Sequence, residues 1–460
     1  MSAAPGPDQR PWRIRTITPP LAASVRVPGS KSVANRALVC AALADGVSEI
    51  TGVPPGDDSA AMIDALRLLD IGVTAGTLTG NVVVAGRAGR IGPDRAGDRD
   101  RAGDGDRAGD QSTEGHAWLG SEHITLPTRL AGTTSRFVTA LAALGEDMIT
   151  IDGEPSLRDR PMTPLHDALR AMGAKVVAGE RWGHLPVTIS GPIAPVHGRV
   201  AVRGDVSSQY ITALMLIAPA IPGGLHIDLT TPLVSRSYLG ITAAVMAAFG
   251  IDDVVIGEDH VEVGQGTYRA TAYAVEPDAS SAGYPLAAAA IVGGTVHVPG
   301  LTAASLQGDA RFSAVLGDMG CTVVVDDRGT TVTRDGQLRG IDIDMVDMSD
   351  LVPTLAVVAP FAHTPTRITG VGFIRRKESD RIGDLCRELR CAGVAATELD
   401  DGLLIEPGSA HAAVLGTHHD HRLAMAFGLL GLVIDGIEVE DPDVVTKSWP
   451  GYWTMLDDLR

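Results

Sequence analysis

Six short clusters place hydroxyl or carboxylate side chains just ahead of Ala/Leu-rich runs: Ser30-Lys31-Ser32, Thr133-Thr134-Ser135, Ser207-Ser208, Ser280-Ser281, Ser349-Asp350 and Asp420-His421. Ser, Thr and Asp are capping residues, and a helix start combines unpaired N–H groups with the positive end of the macrodipole, so each cluster is a place for an anion. Ordinary capping accounts for any one of them. Their cations change the reading: Lys31 and Arg36 flank the first helix start, Arg136 the second and Arg422 the sixth. That pairing points to phosphate or carboxylate binding. Acids and bases also mix in Asp159-Arg160-Pro161 and in Arg375-Arg376-Lys377-Glu378-Ser379-Asp380-Arg381. Each alone reads as surface ion pairs of little net stability, but both sit at helix boundaries.

Two other chemistries fit poorly. Ser30-Lys31-Ser32 has the tail of a nucleotide-binding P-loop, yet Val25 and Ser30 stand where its glycines are required, which excludes a nucleoside triphosphatase. His418-His419-Asp420-His421 offers neighbouring imidazoles that point apart on a helix, without a Glu-x-x-His or Cys partner, so helix-start polar chemistry is preferred to a metal site.

Lys plus Arg number 38 against 56 Asp plus Glu, a net charge of −18. Such a field opposes nucleic acid and anionic membranes, so any anion site must be local. Gly (54) and Pro (28) exceed average usage, which predicts many short elements and turns. Cys40, Cys321, Cys386 and Cys391 form no Cys-x-x-C pair and read as reduced structural thiols. The N-terminal residues lack an apolar signal core, and the longest apolar run, 423–434, is too short to span a bilayer. The expectation is a cytoplasmic protein.

The clusters are also the beat of a repeat. Anchors at 32, 135, 208, 281, 350 and 421 are separated by 103, 73, 73, 69 and 71 residues, so the first interval carries about 30 extra. A near-tandem Asp-Arg-Ala-Gly text at 87–120 supplies them and reads as a surface loop with nothing to bury. Strands are predicted at 81–84, 148–151, 186–189, 254–256, 322–325 and 403–405, and second helices at 60–69, 164–172, 237–249, 307–319 and 381–391. The unit is an α+β module of about 70 residues, repeated six times.

Together, Pro28-Gly29-Ser30-Lys31-Ser32, Leu130-Ala131-Gly132-Thr133-Thr134-Ser135-Arg136, Asp159-Arg160-Pro161-Met162, Val206-Ser207-Ser208-Gln209-Tyr210, Arg376-Lys377-Glu378-Ser379-Asp380-Arg381 and Asp420-His421-Arg422 make the chain resemble the enolpyruvyl transferase family, and within it the 3-phosphoshikimate 1-carboxyvinyltransferases (EPSP synthases). The resemblance runs from about residue 20 to the end. It implies a two-domain, inside-out α/β barrel fold with three βαβαββ-type units per domain: residues 1–28 with 275–460 in one domain, 29–274 in the other, and the 87–120 insertion within the second. The crossings fall near 27–31 and 272–278.

The implied reaction moves the enolpyruvyl group of phosphoenolpyruvate to the 5-hydroxyl of shikimate 3-phosphate, without metal or organic cofactor, in a monomer. Carried over by motif, Lys31, Ser32, Arg36, Ser207, Ser208, Gln209, Ser235, Asp350 and Lys377 bind shikimate 3-phosphate. Lys31, Gly132, Arg160, Gln209, Arg381, Arg422 and Lys447 bind phosphoenolpyruvate. Asp350 takes the hydroxyl proton, Glu378 exchanges protons with the methylene carbon, and Lys31 joins them in the catalytic set. Seven of these residues are cations, set against Asp350 and Glu378, a local surplus for two substrates that bring roughly −5 to −6 charges between them. Leu130 and Phe373 stand where many relatives carry Asn, so polar contacts there are expected to be missing. The alternatives are a UDP-N-acetylglucosamine enolpyruvyl transferase, which typically shows Lys-Asn at the first motif and a reactive Cys absent from 121–136, and an inactive binding protein of the same fold.

Overall fold

In the computed structural model, residues 11–76, 80–92 and 123–459 are described. The six Ala/Leu-rich runs are helices: Lys31–Leu43, Gly132–Ala142, Ser208–Ile217, Ala279–Val292, Val352–Val358 and His421–Leu430. They are apolar on nearly every side because they are buried on nearly every side; in Ala279–Val292 all 14 residues are buried. Second helices such as Thr163–Ala171 and Gly383–Cys391 carry one apolar stripe instead. Thr163–Ala171 buries Leu165, His166, Ala168 and Leu169 and turns its charged residues outward.

Among the described residues, strands form five four-stranded sheets and one three-stranded sheet. The sheet of His123–Pro127, Met148–Asp152, Val187–Ser190 and Lys175–Ala178 shows the pattern: a parallel pair, then an antiparallel neighbour that closes a hairpin with the edge strand. The other four-stranded sheets repeat that order. The three-stranded sheet lacks a hairpin, and Trp12–Arg13 pairs antiparallel with Ile437–Val439 in its stead. The architecture is mixed α/β as expected, with one correction: each sheet keeps its own edges, so among the described residues no strand ladder closes into a barrel. The buried helices pack in two sets of three instead: Lys31–Leu43, Gly132–Ala142 and Ser208–Ile217 touch one another, as do Ala279–Val292, Val352–Val358 and His421–Leu430.

Two hydrophobic cores share no residue. One draws on positions between Val33 and Tyr268. The other joins Ile14, Ile17, Leu21 and Val25 to positions from Ala279 to Leu459. The chain passes between them twice, and at each passage a unit's first strand stays behind while its helix crosses. Leu21–Ser24 pairs in parallel with Gly294–Pro299, whereas Ala272–Ala274 pairs in parallel with Asp45–Thr51. The two crossing segments touch through an antiparallel bridge between Gly29 and Pro277. Most of the 87–120 stretch lies outside the described residues, and Arg87 itself ends the strand Val82–Arg87. Among the described residues no helix is long and apolar enough to cross a membrane.

Gly29 tests this crossing. A Cβ there would run into the carbonyl oxygen of Gly52 and come within 3.2 Å of Val275 Cγ1, and a backbone atom cannot step aside as a side chain can. Gly29→Ala is expected to lower stability by about 1–3 kcal/mol, read as a lower urea midpoint. An unchanged midpoint would show that the crossing is not tightly packed.

Candidate active site

All six buried helices begin at one cavity. Its wall includes Lys31 and Ser32, Gly132 and Thr133, Ser207 and Ser208, Asp278 and Ser280, Ser349 and Asp350, and His421 and Arg422, around about 1120 Å³ of space that includes the open solvent at its mouth. Three of these starts are closed by their own caps: Ser207 Oγ accepts from Gln209 N, Asp278 Oδ1 from Ser281 N and Asp420 Oδ1 from Arg422 N. The helices starting at Lys31 and Gly132 have no side-chain cap, so their first N–H groups are left for a ligand. Gly132 also keeps its end open, because a Cβ there would lie 2.6 Å from Arg160 Nη1 and 3.0 Å from Arg136 Nη1.

An ionic net occupies one side. Arg381, 1% exposed, donates from Nε to Asp420 Oδ2 at 2.6 Å, from Nη1 to Asp350 Oδ1 at 3.0 Å and from Nη2 to Glu378 Oε2 at 2.7 Å. Arg422 Nη2 donates to Asp350 Oδ2 at 2.6 Å. Lys447 Nζ reaches Glu378 Oε1 at 3.0 Å, and Arg160 Nη1 lies 3.5 Å from the same oxygen. Burial would raise the pKa of both acids, but the cations outweigh it: Arg422, Arg381 and Lys377 hold Asp350 low, and Lys447, Arg381 and Arg160 hold Glu378 well below the carboxylate range. Burial likewise opposes the charge of Lys31, and Asp58 at 2.7 Å more than offsets it, so that its pKa is raised.

The other side is quieter. Gln209 Nε2 donates to Thr133 Oγ1 at 3.2 Å, and the hydroxyl of Ser235, at φ 54°, donates to Val346 O at 3.5 Å. Arg36 is committed inward: it donates to Thr242 Oγ1 and Ser32 O at 2.8 and 2.7 Å between the rings of Phe137 and Tyr238, and burial pulls its pKa down to about 10. Lys377 Nζ lies 5.7 Å over the ring of Phe373, so packing stands where a polar contact was expected to be missing, and burial lowers its pKa. Leu130 is not among the residues that line the cavity.

Of the fifteen residues singled out by motif, fourteen line this cavity, and Lys447 stands behind Glu378. Arg136 departs from its reading as an anion-binding cation. It is buried away from the cavity and donates to Gly132 O and Ser135 Oγ, stapling its own helix start. Arg375 pairs with Asp380 and Glu398. His418 contacts Glu388 at 2.8 Å, whereas His421 lines the cavity with both ring nitrogens buried and without a hydrogen-bond partner among the described residues. The expected surplus of positive charge is corrected as well. Asp58, Asp278, Asp309 and Asp347 also line the wall, giving six carboxylates to six cations. Their signal was present, since Asp58 and Asp309 lie in the first turns of their helices, but nothing local shows which first turns converge. Tyr238, whose hydroxyl lies 3.4 Å from Asp350 Oδ2, was missed for the same reason.

Comparisons with known proteins give the family. The family model described as EPSP synthase (3-phosphoshikimate 1-carboxyvinyltransferase) matches residues 16–102 and 99–456. The 3-phosphoshikimate 1-carboxyvinyltransferase of Nostoc punctiforme is 40% identical over 444 residues, covering 96% of this chain and 97% of that protein. The protein of the same name from Methanoculleus marisnigri is 38% identical over 95% of this chain and 97% of its own length. The EPSP synthase structure from Acinetobacter baumannii superposes with a TM-score of 0.77 at 23% identity, covering 97% of this chain and 98% of that one. The enolpyruvyl transferase NikO from Streptomyces tendae does so at 0.72 and 16%, over 98% of each chain. The two structures share the fold, and the near full-length relatives carry the assignment: the chain belongs to the EPSP synthase (3-phosphoshikimate 1-carboxyvinyltransferase) family.

Proposed function

We infer that the cavity transfers the enolpyruvyl group of phosphoenolpyruvate to the 5-hydroxyl of shikimate 3-phosphate and releases phosphate. The observation that carries this is the meeting of six helix starts with two carboxylates, Asp350 and Glu378, each held among cations. The enol carbon becomes electrophilic when its methylene is protonated, so Glu378 gives a proton to that carbon as Asp350 takes one from the attacking hydroxyl. The carbon–oxygen bond so formed makes a tetrahedral adduct. Its phosphate leaves with the carbon–oxygen bonding pair and takes up the proton held by Asp350, stabilised by cations such as Lys31 and Arg160, while the methyl group returns a proton to Glu378, so that both carboxylates are regenerated.

In the free cavity Glu378 is too acidic to donate. Substrate anions would draw Lys447, Arg160 and Arg381 toward themselves, which returns the carboxyl toward its ordinary range. Lys31, Ser32, Arg36, Ser207, Ser208, Gln209, Ser235, Asp350 and Lys377 are assigned to shikimate 3-phosphate, and Lys31, Gly132, Arg160, Gln209, Arg381, Arg422 and Lys447 to phosphoenolpyruvate. Two domains, 1–28 with 275–460 and 29–274, fit the two separate cores. A cytoplasmic location fits the free cysteines and the lack of any membrane-spanning helix among the described residues, and the family resemblance implies a monomer.

Phosphate release from phosphoenolpyruvate is the test. It is expected with shikimate 3-phosphate and not with UDP-N-acetylglucosamine. Turnover with the UDP-sugar alone would replace this reading, and turnover with neither acceptor would favour an inactive binding protein.

A further inference from the structure

We propose that Asp309, which none of the motif assignments includes, is a further acceptor-binding residue whose carboxyl reads a ring hydroxyl of the acceptor substrate. The inference rests on the functional reading above. Asp309 opens the helical turn Gly308–Arg311, lines the cavity and is 6% exposed. Oδ2 accepts from the hydroxyl of Ser280, in the first turn of the helix Ala279–Val292. Oδ1 has no hydrogen-bond partner among the described residues, yet it is not sealed from the cavity.

Among the wall carboxylates, Asp309 and Asp278 have no cation among the described residues, and Asp278 spends Oδ1 on capping its own helix at Ser281 N. Asp350 has two guanidinium partners, Glu378 has three cations and Asp347 has Arg311 at 3.3 Å. None lies within ion-pair distance of Asp309 among the described residues. The charged and titratable groups that act on it are the carboxylates of Asp350 and Asp278, the phenol of Tyr238 and the guanidinium of Arg422, itself committed to Asp350 at 2.6 Å. An anionic substrate group placed here would add negative charge where no cation answers it. A hydroxyl suits the place, because it can donate to a carboxylate or accept from a carboxylic acid.

The backbone is held on both sides. Gln307 Nε2 donates to Pro277 O at 2.7 Å, and its Oε1 accepts from Ala279 N at 3.0 Å. Gly308 is pressed between cores, since a Cβ there would lie 2.9 Å from Asp347 O and 3.0 Å from Ser237 Oγ. Burial and the neighbouring charge of Asp350 push Asp309 up to about 7, against the downward pull of the Ser280 hydroxyl and Arg422. The protonated form therefore prevails below neutrality. Above it, Asp309 ionises beside Asp350 and weakens the binding of an anionic acceptor.

The experiment compares wild type, Asp309→Asn and Asp309→Leu from pH 5.5 to 9, with KM for each substrate and kcat. In wild type, KM for shikimate 3-phosphate is expected to rise several-fold through neutrality. Asp309→Asn, neutral at every pH and able to donate and accept, should hold the low-pH KM throughout. Asp309→Leu should raise that KM by roughly tenfold at low pH and leave KM for phosphoenolpyruvate unchanged. The substrate phosphate titrates equally against all three proteins, so the comparison cancels it. An Asp309→Asn profile that follows wild type would overturn the proposal, and this variant decides the matter even if Asp309→Leu does not fold. Absence of wild-type turnover with shikimate 3-phosphate would instead remove the functional reading, and this inference with it.

Discussion

Glu378→Gln is expected to lower kcat by about 10²–10⁴-fold, the usual contribution of a positioned proton donor and acceptor, with substrate binding retained. Gln keeps the shape and hydrogen-bonding reach of Glu378 but cannot cycle a proton to the methylene carbon. It also releases Lys447, Arg160 and the Nη2 of Arg381 from a competing carboxylate, so KM for phosphoenolpyruvate should stay level or fall. The check pairs steady-state phosphate release with direct titration of phosphoenolpyruvate binding in the presence of shikimate 3-phosphate. Near-normal turnover would take Glu378 out of the proton-transfer role. A loss of binding that matched the loss of rate would make it a structural member of the ionic net instead.

Arg381→Met should be the most costly substitution for the fold. The guanidinium touches Asp350, Glu378 and Asp420 at once, and Met leaves that buried negative charge short of a partner, a change that costs about 3–5 kcal/mol. Arg381→Lys keeps the charge and loses the fork, so it should fall between the two. The pH dependence identifies the cause. In wild type, Asp350 and Glu378 have depressed folded pKa values, so their stabilisation is present above the ordinary carboxylate range and fades as pH falls through the folded values. Without Arg381 those values rise, and protonation relieves the stranded charge. The stability gap between wild type and Arg381→Met in urea should therefore narrow from pH 7 to pH 5. A constant gap would assign the loss to packing.

The sequence made the six helix starts legible because each carries its own punctuation: a hydroxyl or carboxylate cap, then an apolar run. Their spacing also exposed the repeat. Distinguishing Arg36 from Arg136, both one turn into such a helix, required the family motif, and only the structure shows Arg136 folded back on Gly132 O. The carboxylates Asp58 and Asp309 escaped because an acid in a first turn normally satisfies its own helix, and only the convergence of distant helices turns it toward a cavity. The strand exchange was legible as two crossing points but not as a pairing scheme. Strands of two to four residues, such as Trp12–Arg13 and Leu21–Ser24, carry too little pattern to name a partner hundreds of residues away.

That exchange also sets a timetable for synthesis. The sheet of Asp45–Thr51, Val82–Arg87 and Gly72–Ala75 lacks its parallel edge strand until Ala272–Ala274 emerges. Leu21–Ser24 waits for Gly294–Pro299, and Trp12–Arg13 for Ile437–Val439. Contacts so distant along the chain form slowly, and the ribosome lengthens the wait. The core between Val33 and Tyr268 can be complete while the core that holds both ends of the chain is still being made. The described residues nearest the N-terminus leave the ribosome early and pair with some of the last to follow.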